Sequence, residues 1–68
     1  MDETLIEVEE NPPYLTVMAG AGCYLVALME ANRKGEYRIA KQSPSLTKKH
    51  DAENWAKAWS EREGIEIR

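Results

Sequence analysis

Residues 14–29, "YLTVMAGAGCYLVALM", are the only long stretch of this chain without a charged side chain. The run could be a membrane span, a glycine-rich phosphate cradle or two strands of a sheet. A helix crossing a bilayer needs about 20 apolar residues. This run is shorter, is preceded by Asn11-Pro12-Pro13, and is broken by Gly20 and Gly22. A phosphate cradle would need Gly-Lys-Ser/Thr after the glycines or the third glycine of a dinucleotide fingerprint, and neither follows. Strand patterning fits best. Leu15, Val17 and Ala19 alternate with Thr16 and Met18, and Tyr24, Val26 and Leu28 alternate with Cys23, Leu25, Ala27 and Met29. The glycines between them predict a hairpin loop of about three to five residues, where the backbone needs positive φ. Residues 27–35, "ALMEANRKG", also suit a helix stopped by Gly35, and the strand is favoured over it.

Working outward, Asn32 to Gly35 read as a second turn, and Tyr37 and Ile39 alternate with Arg38 and Ala40 as a third strand. "QSPSLT" reads as a loop, since Pro44 cannot donate to a ladder and Ser43 and Ser45 favour turns. "DAENWAKAWSEREG" is a helix over about 51–63. Ala52, Trp55, Ala56 and Trp59 fall at i, i+3, i+4 and i+7, one apolar stripe expected to pack on the sheet. Asp51 is the expected N-cap, with Thr47 competing, and Gly64 the C-terminal stop closed by Ile65. "IEIR" alternates as a short final strand, and "TLIEVEE" carries the same pattern near the N-terminus. The expected fold is α+β: a small antiparallel sheet of three to four strands, the helix on one face, and a short C-terminal strand. Residues 1–68 make one domain, with 1–13 expected as an acidic edge strand or a partly disordered segment.

The chain has 68 residues and a net charge of −3. So small a domain has a stability of a few kcal/mol and little room for a deep cleft. Charge is unevenly placed. Asp2, Glu3, Glu7, Glu9 and Glu10 lie in the first ten residues with no base among them. Arg33, Lys34, Arg38, Lys41, Lys48, Lys49 and Lys57 stand against Glu36, Asp51 and Glu53, so seven bases against three acids give that segment +4. Such a dipolar chain permits an anionic partner. Cys23, the one cysteine, allows no internal disulfide, which fits a reducing, cytoplasmic setting.

Two resemblances bear on function. "TKKHDAENWAKAW" resembles the Lys-Lys-x-Ala opening of the last helix of double-stranded-RNA-binding domains. That likeness covers thirteen residues and implies that Lys48 and Lys49 contact phosphates across a groove. "EYRIAKQSPSL", "DAENWAKAWSEREG" and "GIEIR" look like the third strand, helix and closing strand of small strand–strand–helix–strand proteins of phages and bacterial accessory genes. This second likeness implies binding to, and modulation of, a larger protein.

Little in the sequence points to catalysis. His50 has no evident nucleophile or co-ligand and reads as a solvated residue at the helix start. Cys23, among Tyr, Leu and Val, reads as a small buried hydrophobe. The expectation is a non-enzymatic binding or regulatory protein without metal or other cofactor, docking on a larger protein. Glu7, Glu9 and Glu10 would meet a basic surface or add a strand to the partner's sheet. The alternative is a nucleic-acid-binding protein using Arg33, Lys34, Arg38, Lys41, Lys48, Lys49 and Lys57. One helix covers only one face of the sheet, so a homodimer burying the other face is also expected.

Overall fold

The computed structural model describes residues 11–68. Strands β1 (Tyr14–Gly20), β2 (Cys23–Ala31) and β3 (Tyr37–Gln42) are followed by helix α1 (Lys49–Glu63) and the two-residue strand β4 (Glu66–Ile67). They form one sheet in the order β3-β2-β1-β4 with the helix against it, an α+β fold. The first three strands are antiparallel, as expected, but β4 runs parallel to β1, so the sheet is mixed. The reason is topological: α1 is the return leg that brings the chain back alongside β1 in the same direction.

The charge-free run is a hairpin. Seven consecutive pairs, from Tyr14 with Met29 to Gly20 with Cys23, leave only Ala21 and Gly22 as the loop. That loop is shorter than the sequence predicts, and both of its residues have positive φ, 51° at Ala21 and 78° at Gly22. Primed turns of this kind match the right-handed twist of the strands they join. β2 runs on as strand through Glu30 and Ala31, which removes the helical alternative for residues 27–35.

The second turn is organised by Asn32. Its side-chain oxygen accepts from the N–H groups of Lys34 (2.8 Å) and Glu36 (3.0 Å), and its amide nitrogen donates to Glu36 Oε1. Gly35 supplies a φ of 85°. The "QSPSLT" segment is not a detached loop. Ser43 N donates to Val26 O at 2.8 Å, and Leu46 exchanges two 2.7 Å bonds with Tyr24. β2 is therefore flanked along almost its whole length.

Helix α1 begins two residues before the expected start, and neither Asp51 nor Thr47 caps it. Lys48 occupies the cap position with no side-chain bond, and Asp51 sits in the first turn, where a carboxylate still opposes the positive end of the helix. The C-terminus follows expectation. Gly64 is left-handed (φ 68°) and donates to Ser60 O, and Ile65 packs against the core.

The core is one layer between α1 and the sheet: Leu15, Val26, Leu28, Ala52, Ala56 and Trp59, with Val17, Tyr24, Leu46 and Ile65 at its margin. The two alanines let the helix approach closely over Leu15 and Val26, which are fully buried. Trp59 is the large side chain that fills what remains. Trp55 departs from the expected stripe, at 40% exposed. The helix crosses β1, β2 and β4, and no α1 Cα lies within 8 Å of a β3 Cα. Trp55 stands on the flank of the helix that faces Lys41 and Gln42 of β3.

Candidate docking surface

Where the helix fails to reach β3, a groove opens. One wall is Lys41, Gln42, Ser43 and Pro44, and the other is Trp55, Trp59, Arg62 and Glu63, enclosing about 260 Å³. A second hollow of about 270 Å³, bounded by Trp55, Ala58, Trp59 and Arg62, adjoins it along the same helix face. Each is smaller than the roughly 300–1,000 Å³ usual for small-molecule sites. Their size suits single side chains arriving from another macromolecule.

The position of each lining residue follows from local structure. Lys41 pairs with Leu28, a core residue, so its side chain stands on the helix side of the sheet. The register shift between Leu28 and Met29 puts Ile39 opposite Met29 and leaves Ala40 as an extra residue on β3. Ser43 is buried, its oxygen accepting from Val26 N at 2.9 Å and donating to Pro44 O. Arg62 is held only loosely by Glu63, at 3.9 Å and with both side chains exposed, a kind of pair worth little in water. Trp59 is 7% exposed, and its indole N–H is buried without an acceptor.

The opposite face of the sheet carries Tyr14, Thr16, Met18, Leu25, Ala27, Met29, Tyr37 and Ile39, placed there by strand alternation and pairing. No described element lies over it. Its end is fixed by aromatic contacts: the rings of Tyr14 and Tyr37 meet edge-on at 4.9 Å, and Tyr37 Oη donates to the Pro12 carbonyl. The Arg68 guanidinium sits 4.7 Å from the centre of the Tyr14 ring. Its hydrogen bond with Glu66 raises its pKa above the ordinary arginine value. Ile39 is 44% exposed on the same face.

The seven expected bases lie on four parts of the chain. Arg33 and Lys34 lie in the β2–β3 turn, Arg38 and Lys41 on β3, Lys48 and Lys49 at the start of α1, and Lys57 on its exposed side. Only Lys41 lines the groove. Arg62, which does line it, stands outside the basic run that drew attention in the sequence. Glu7, Glu9 and Glu10, and the strand expected over "TLIEVEE", lie outside the described residues.

His50 is solvated as expected, whereas Cys23 is only half-buried and not part of the core. His50 is exposed in the first turn of α1, its Nε2 3.2 Å from Asn54 Nδ2. Cys23 is a half-buried free thiol whose Sγ donates to Gly20 O. Among the described residues no group of His, Cys, Asp and Glu could hold a metal ion, and no helix is long and apolar enough to cross a membrane. Compared with known proteins, the chain matches no family model, no curated sequence and no solved structure.

Proposed function

We propose that this chain is a non-enzymatic binding protein that docks on a larger partner protein in the cytoplasm, with the α1–β3 groove as its docking surface. One observation carries this reading. Trp55 is a large aromatic side chain left 40% exposed at a groove, beside a second tryptophan that completes the core. Tryptophan and arginine are the residues most often responsible for binding energy at protein interfaces, and Arg62 adjoins Trp55 here. Trp59 belongs to the core cluster and Trp55 does not, so the exposed part of the Trp55 indole can meet a partner.

Affinity capture with the full chain, run in parallel with Trp55→Ala, tests this. A partner retained stoichiometrically by the native chain and lost by the variant is expected. No stoichiometric partner, or equal retention by both chains, overturns the reading.

Nucleic-acid binding is the second reading, favoured by the placing of Lys41 and Arg62 beside an exposed indole on which a base could stack. The net charge of −3 weighs against it. Phosphate contacts weaken steeply with salt. A gel shift at low salt with single- and double-stranded DNA and RNA therefore decides it, and no shift at tens of micromolar removes it.

A further inference from the structure

The chemistry of the groove narrows the class of partner. Its charged side chains are Lys41, Arg62 and Glu63, two cations against one carboxylate, and Gln42 and Ser43 are its other polar side chains. Ser43 Oγ is already engaged with Val26 N and Pro44 O, and Glu63 lies 3.9 Å from Arg62 in a loose, exposed pair. With Lys41 and Arg62 against Glu63, the groove carries a net charge of +1 and is complementary to negatively charged groups. Trp55, between the two hollows, adds an apolar platform.

We propose that the α1–β3 groove receives an acidic linear segment of the partner protein, with an apolar side chain against Trp55 and carboxylates at Lys41 and Arg62. This rests on the docking reading and adds the partner's chemistry to it. A peptide suits the site better than a nucleic acid. The hollows, of about 260 and 270 Å³, are of side-chain size, and the Glu63 carboxylate in the lining would repel a phosphate backbone. Glu63 becomes an informative residue, since its charge competes with the incoming carboxylates for Arg62.

The test uses the full chain, isotopically labelled, titrated with a synthetic peptide in which glutamates flank a leucine. Its glutamine counterpart and an oligothymidylate are titrated in parallel, and the two indole N–H resonances are followed by NMR. The acidic peptide is expected to bind with salt-sensitive affinity and to shift the Trp55 indole. Affinity should fall about tenfold in Lys41→Glu/Arg62→Glu and rise in Glu63→Gln. All three positions are solvent-exposed, so circular dichroism should show the variants folded. Equal binding of the glutamine peptide, unchanged affinity in the double variant, or binding of oligothymidylate alone would each overturn the proposal. Failure of the acidic peptide while the Trp55-dependent partner is still captured overturns the acidic assignment and leaves the docking reading standing. Loss of both results removes both.

Discussion

Ser43 Oγ accepts the backbone N–H of Val26 at 2.9 Å, in the buried layer beneath the groove. Val26 is fully buried, so no solvent replaces that acceptor. Ser43→Ala should cost about 1–3 kcal/mol, the penalty of leaving a buried donor unsatisfied. In a domain of this size that lowers the melting midpoint by about 4–8 °C per kcal/mol. An unchanged midpoint would show that Val26 finds another partner.

Ala21 is the one residue other than glycine with positive φ among those described. A left-handed backbone costs a residue with a Cβ roughly 1–2 kcal/mol, and the first position of such a turn prefers Asn or Gly. Ala21→Asn should therefore stabilise the protein by up to about 1 kcal/mol, read as a raised melting midpoint. Ala21→Val should lower it. The reverse order would mean that the turn is not of the primed type.

Asn32 holds the β2–β3 turn through three side-chain bonds, to Lys34 N, Glu36 N and Glu36 Oε1. These bonds are solvent-exposed, so their joint loss in Asn32→Ala should cost about 1–2 kcal/mol. Hydrogen exchange should show the loss concentrated on β3, the edge strand that this turn positions. Uniform loss across β1 and β2 would contradict a local role.

How much of this was legible in the sequence follows element by element. The hairpin was, because unbroken alternation on both sides of two glycines admits few other structures. The end of α1 was also legible, since Gly64 is one of the few residues that can take the left-handed stop. The start of α1 was not, because the chain uses an uncapped Lys48 although Thr47 and Asp51 are both available. The parallel direction of β4 depends on where α1 crosses the sheet, which no local pattern of Ile65 and Ile67 encodes. The groove was half legible. Trp55 and Trp59 stood out as a pair, but their separation into surface and core depends on β3 lying beyond the reach of the helix. Arg62 was missed because it lies outside the basic run, and Ser43 because it read as a loop residue.

The face carrying Met18, Leu25, Met29 and Ile39 has no described element over it, so self-association through that face is expected at high concentration. Sedimentation at about 100 micromolar should show a species heavier than the monomer. Leu25→Lys, on the same face, should abolish it while leaving the fold intact. A strict monomer for the native chain would count against this expectation.

The division of labour between the two tryptophans underlies the whole account, and thermal unfolding of Trp55→Ala beside Trp59→Ala, followed by circular dichroism, tests it most directly. Trp59 fills the core between Leu15, Leu28 and the two helix alanines. Its removal should cost about 3–5 kcal/mol, most of the stability expected of such a small domain, and abolish the cooperative transition. Removal of Trp55, 40% exposed, should leave a cooperative transition in place and lower its midpoint by clearly less than Trp59→Ala does. A collapse of both variants, or an unchanged midpoint in Trp59→Ala, would contradict the account.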